Sequence, residues 1–122
     1  MASSRRPGMR FALLVLDAPL SGPAGRSALA FARALRAAGH TLEMAFFHGE
    51  GVRAALAPVD AAARLTETEW SALAADGVPL LACATALERR NLVAGSTVVV
   101  PGTLGQLMDA LDRVDRVVTF AN

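Results

Sequence analysis

A chain of 122 residues with 53% apolar and 19% charged residues holds one compact domain, and excludes a disordered, charge-rich chain. A formal net charge of +1 excludes a broad basic surface for nucleic acid, and no apolar run reaches membrane-spanning length. One cysteine, Cys83, excludes both an internal disulfide and a dithiol redox pair.

The opening "MASSRRPGMRFALLVLD" sets paired arginines before an apolar run, as an export signal does. The run from Phe11 to Leu16 is too short for one, and Asp17 ends it. Residues 1–8 read as a disordered tail or a start upstream of Met9, and residues 9–122 as the domain. A cytoplasmic, reducing location is expected.

"RFALLVL", residues 10–16, reads as a strand buried on both faces. "DAPLSGPAG" is a loop by its prolines and glycines. From Arg26 to Ala38 the period turns helical. Leu29, Ala32, Leu35 and Ala38 form the inner face, and Arg26, Arg33 and Arg36 a solvated one. Ser21 or Ser27 is the expected cap, and Gly39 the stop. "HTLEMAFF" predicts a strand over 41–47, and "HGEG" a turn in which Glu50 is solvated. A short helix over Val52–Leu56 and an irregular "APVDAAARL" follow.

Thr66 and Glu69 have capping-box spacing for a helix through Trp70 to Ala75, with Trp70 as packing and Gly77 as its end. "VPLLAC" is the third strand, "TALERRNL" a helix, and "STVVV" the fourth strand, closed by Pro101 and Gly102. "TLGQLMDALDR" is the last helix and "DRVVTF" the fifth strand. Strands alternating with helices predict a single three-layer α/β/α domain on a mostly parallel five-stranded sheet. Strand order stays open at this level. In such folds chemistry sits at the carboxyl ends of the strands.

Cys83 falls at such an end, where the third strand meets a helix. Unpaired N–H groups at a helix start favour negative charge, and hence a thiolate. Arg89 and Arg90 lie about two turns further on, too far to touch the sulfur but able to attract an anionic partner. The opposing reading is packing, because free cysteine is among the most buried residue types. A cysteine hydrolase needs a base. His40 lies at the amino end of the second strand, the wrong edge; His48 lies at the right edge, and a Cys83–His48 pair is conceivable. A covalent carrier role fits a lone thiol better. Two histidines and one cysteine without ligand spacing predict no metal, and neither "SGPAG" nor "GTLG" matches a nucleotide fingerprint, so no cofactor is expected. "SGPAG" could still offer backbone N–H groups to a small anion.

Taken together, "MRFALLVLDAP", "SALAFARALRAAGHTLEMAFFHGEGV", "GVPLLACATALERR" and "GTLGQLMDALDRVDRVVTF" resemble the DsrE/TusD family of intracellular sulfur-transfer proteins. The resemblance spans nearly all of residues 9–120, and it sets Cys83 on the family's sulfur-carrying position. It implies a sulfurtransferase subunit whose cysteine carries a persulfide, in tRNA thiolation or in sulfur oxidation. Small sulfur-carrier proteins are the implied donor and acceptor. A hetero-oligomer with similar subunits or a homo-oligomer is implied, with no direct nucleic-acid contact and no membrane contact. "NLVAGSTVVV" is shorter than the TusD pattern has there, which bears on the partner surface. Two rival readings stand beside this one: a non-catalytic structural subunit, and a small-anion or nucleotide-binding module.

Overall fold

The computed structural model describes residues 8–122. Apart from Gly8, the proposed tail lies outside the described residues. Five strands are present: β1 (Arg10–Val15), β2 (Thr41–Phe47), β3 (Leu80–Cys83), β4 (Val100–Gly102) and β5 (Arg116–Phe120). Four α-helices alternate with them: α1 (Pro23–Ala37), α2 (Ala61–Ala75), α3 (Ala84–Arg89) and α4 (Leu104–Leu111). A 3-10 helix, Gly49–Ala55, follows β2 directly.

The sheet runs β4-β3-β2-β1-β5, and every pairing is parallel. The first three crossovers step one way along the sheet; the last returns over three strands to the far side of β1. Right-handed crossovers then put α1, α2 and α3 on one face and α4 on the other. α4 packs on β2. Ion pairs Arg33–Glu69 at 3.9 Å and Arg36–Asp76 at 2.9 Å join α1 to α2. Two of the three arginines expected on a solvated face therefore tie these helices together.

Burial explains the strands. All four residues of β3 are buried, as in a central strand covered on both faces. Phe47 and Trp70 are both fully buried, and their rings meet edge to face at 5.4 Å. Trp70 is a packing residue, as expected. Glycine ends both long helices in the same way. Gly39 and Gly77 have φ of +88°, and the next residue donates to a carbonyl five positions back, His40 to Leu35 and Val78 to Leu73. This is a Schellman ending, and a left-handed backbone favours glycine there.

The expected turn "HGEG" and helix over Val52–Leu56 are one 3-10 helix, Gly49–Ala55, and among the other boundaries that differ from expectation three have a clear local cause. α1 starts at Pro23 with Gly22 as its N-cap, and no serine side chain caps it. Proline is preorganised for a first helical turn, so it lies inside the helix and not in the loop. α2 starts a full turn before Thr66. Asp60 is the cap, accepting from the Ala63 N–H at 2.8 Å, and the Thr66 hydroxyl donates to the Ala62 carbonyl. The run Ala61–Ala63 has the best helix propensity available, so "DAAARL" propagates as helix. The fourth strand is Val100–Gly102, not "STVVV". Ser96 Oγ accepts from the Val98 and Val99 N–H groups, which pulls this segment out of the ladder. Pro101 is tolerated because β4 is an edge strand.

Candidate functional site

Cys83 is the last residue of β3 and the N-cap of α3. It pairs with Gly102 of β4, the residue just before the Thr103 cap of α4. On the other side, Ala82 pairs with Phe47, so His48 and the 3-10 helix follow at the level of the cysteine. The carboxyl edge of the sheet thus carries Cys83, the 3-10 helix and the start of α4. The thiol stands where the sequence placed it, at a strand end and a helix start.

Its exposure agrees with the packing reading and not with a freely reachable thiol. Cys83 is 2% exposed, and its side chain makes no capping hydrogen bond to α3. The 3-10 helix packs against both β3 and α3, the two elements that the cysteine joins. Its inner residues Gly51, Val52 and Ala55 are buried. An accessible sulfur cannot be read from chain position, because elements distant in sequence provide the cover.

Neither histidine serves the thiol. His40 lies at the amino edge, where its Nδ1 accepts from the Met9 N–H at 2.9 Å. His48 is exposed; its backbone N–H donates to Val15, and its ring faces Phe46. Among the described residues no hydrogen bond joins His48 to Cys83, so the conceivable hydrolase pair is not formed. No group of three or more metal-binding side chains occurs among the described residues.

Glu50 is exposed, as the sequence reading has it, but it is ion-paired, on the 3-10 helix that packs against β3 and α3. Glu50, in the 3-10 helix, accepts from Arg90 Nε at 2.7 Å and from Arg53 Nε at 2.8 Å. Arg90 follows α3 directly and folds back, its Nη1 donating to the Ala86 carbonyl at 3.3 Å. These hydrogen bonds, the one from Arg90 foremost and then that from Arg53, hold the Glu50 carboxyl below the usual carboxylate range. The i,i+3 spacing of Glu50 and Arg53 was a legible signal. The bond to Arg90 was not.

A separate hollow lies elsewhere. A cavity of about 510 Å³ opens between the β1–α1 loop, the 3-10 helix and α2, with Asp17, Leu20, Arg53, Val59 and Glu67 in its wall. Cys83 is not among its lining residues, so sulfur chemistry is argued from the strand end and not from this cavity. The loop "SGPAG" is also less open to an anion than expected. The Ala24 N–H, in the first turn of α1, donates to the Asn122 side chain at 3.0 Å, and Asn122 N–H donates to Asp17 at 2.7 Å. The start of α4 is likewise occupied by its own capping box, Thr103 with Gln106.

An all-parallel sheet covered on both faces, with a cysteine at its carboxyl edge, defines a small three-layer α/β protein. The DsrE/DsrF-like family profile matches residues 9–120, and the chain belongs to that family. It is 32% identical to a Pseudomonas aeruginosa protein named sulfurtransferase TusD homolog, over 92% of this chain and 97% of that one. It is 30% identical to a putative sulfurtransferase DsrE of Allochromatium vinosum, over 93% of this chain and all of the other. Among solved structures, the ychN protein of E. coli superposes with a TM-score of 0.74 over 92% of this chain and 99% of that one, at 24% identity. That likeness supports the fold.

Proposed function

We propose that this protein is a sulfur-relay subunit that carries a persulfide on Cys83 and hands its outer sulfur to a partner carrier protein. The observation that carries the reading is the position of Cys83, closing β3 and opening α3 at the carboxyl edge, in a chain whose relatives are named sulfurtransferases. Residues 9–122 act as one domain in this role.

The chemistry needs only sulfur. The Cys83 thiolate attacks the outer sulfur of a donor persulfide; the donor's S–S bond breaks and the donor leaves as a thiolate. Cys83 then bears a persulfide anion. An acceptor thiolate attacks that outer sulfur, the new S–S bond breaks, and Cys83 leaves as the thiolate. No electrons are gained or lost overall. The route needs no general base, so a thiol without a histidine partner is compatible with it. Neither a metal nor an organic cofactor takes part. The donor and acceptor are small sulfur-carrier proteins, met in a reducing, cytoplasmic setting that keeps the lone thiol free. The relay serves tRNA thiolation or sulfur oxidation, without direct contact to nucleic acid or membrane.

Because the thiol is covered in the single chain, transfer requires α3 or a neighbouring element to yield when a partner docks. An assembly with similar subunits or further copies is part of the proposal. Leu104 and Met108, one turn apart on α4, are 50% and 59% exposed, which supports a covered α4 face in that assembly.

The test is direct. The purified protein is incubated with a sulfur donor, and the Cys83 peptide is read by mass spectrometry for one added sulfur. Equal loading of a Cys83→Ala variant would defeat the proposal. Burial of Cys83 favours one rival, a structural subunit in which the thiol only packs. In that case the activity of the assembled complex survives Cys83→Ala.

A further inference from the structure

We infer that Glu50 is a positioning residue for Cys83: through Arg90 it fastens the short helix that begins at the thiol to the 3-10 helix, and so limits how often the buried sulfur is reached. The inference rests on the reading of Cys83 as the carrier and concerns the regulation of that same site.

α3 has six residues, too few to hold helical form without outside contacts. Ala86 and Leu87 are buried beneath it, whereas Thr85, Glu88 and Arg89 face solvent. Its far end is closed by backbone bonds, the Arg90 and Leu92 N–H groups donating to the Leu87 carbonyl at 3.2 and 3.0 Å, and one guanidinium ties it to the 3-10 helix. Arg90 reaches Glu50 with Nε at 2.7 Å and the Ala86 carbonyl with Nη1 at 3.3 Å, so one side chain grips both the helix and the neighbouring element.

The 3-10 helix is the fixed partner in this contact. The Gly51 N–H donates to the Leu16 carbonyl at 3.2 Å. The Ala55 carbonyl accepts from the Gly95 and Ser96 N–H groups at 2.8 and 2.9 Å. It is thus pinned at both ends, and the Arg90–Glu50 bond ties α3 to this fixed element. The Glu50–Arg53 contact lies within the 3-10 helix and does not cross to α3. It provides an internal control.

The experiment follows the alkylation rate of Cys83 in the folded full chain, with urea unfolding of each variant measured alongside. Glu50→Gln and Arg90→Gln each raise the rate about two- to five-fold, the range of an exposed ion pair. The double variant is no faster than the faster single one, because both remove one contact. Arg53→Gln leaves the rate unchanged. The charge swap Glu50→Arg with Arg90→Glu returns it toward the wild-type value. Raising salt from about 0.05 to about 0.5 M speeds the wild type and not Glu50→Gln. Unchanged rates in both single variants overturn the inference. So does an Arg53→Gln rate equal to that of Glu50→Gln, or a rise fully accounted for by lost global stability. Sulfur loading is scored separately. Loading with unaltered alkylation rates sinks the positioning role alone; altered rates without loading sink the relay alone.

Discussion

Replacing Cys83 tests packing and chemistry together, and the two available replacements differ in physical cost. The side chain is 2% exposed and makes no capping hydrogen bond, so Cys83→Ala removes one packed atom and breaks no polar contact. One methylene-sized group is worth about 0.8 kcal/mol in transfer, and incomplete collapse of the small void brings the loss to about 1 kcal/mol. Cys83→Ser keeps the volume but buries a hydroxyl. An unpaired buried hydroxyl costs about 1–3 kcal/mol. A serine at an N-cap could recover part of that through the first turn of α3. The backbone here opposes the recovery. Cys83 has ψ of 113°, whereas the capping residues Asp60 and Thr103 have ψ of 176° and 157°. The expected order of stability is wild type, then Cys83→Ala, then Cys83→Ser. Urea unfolding of reduced protein measures it, with sulfur loading followed in parallel. The alanine variant is the cleaner probe of function, since it stays folded and has no sulfur to load. A serine variant as stable as wild type, or an alanine variant without loss, refutes the claim that the thiol is packed and unbonded.

Other consequences are as specific. Asp60→Ala removes the α2 cap and lowers stability by about 1 kcal/mol in urea unfolding, whereas Thr66→Ala changes it by less than about 0.5 kcal/mol; the reverse order would restore the capping box at Thr66. Glu50 has a depressed folded-state pKa, so its contribution to stability is present above the ordinary carboxylate value of about 4.3 and is lost as pH falls through the lower folded value. The stability gap between wild type and Glu50→Gln therefore closes on acidification; a gap that stays constant through that range contradicts the ion pairs. Met108→Lys, at an exposed site on α4, leaves the single chain's stability within about 0.5 kcal/mol while shifting the proposed assembly to smaller species in size-exclusion chromatography. An unchanged elution volume removes the α4 face from the assembly.

Much of the fold was written in local pattern. β2 has the bounds that "TLEMAFF" predicts, because an alternation into a buried run is a property of neighbouring residues. Gly39 and Gly77 end their helices because their left-handed backbone penalises a side chain wherever it occurs. Cys83 at a strand end followed from the same local reading. Where nearby side chains offer the backbone an alternative, the local reading failed. Ser96 diverts the segment expected as β4, and Asp60 starts α2 earlier than Thr66 would.

Tertiary structure decided the rest. Strand order is set by which faces can be covered, not by any single segment, and it brings the 3-10 helix against β3 and α3. Glu50 and Arg90 are 40 residues apart, so their bond exists only once that order is in place. The same order buries Cys83. Local chemistry placed the thiol at the reactive edge of the sheet; the packing of remote segments determined that it is covered there, because solvent access depends on neighbours that chain position does not specify.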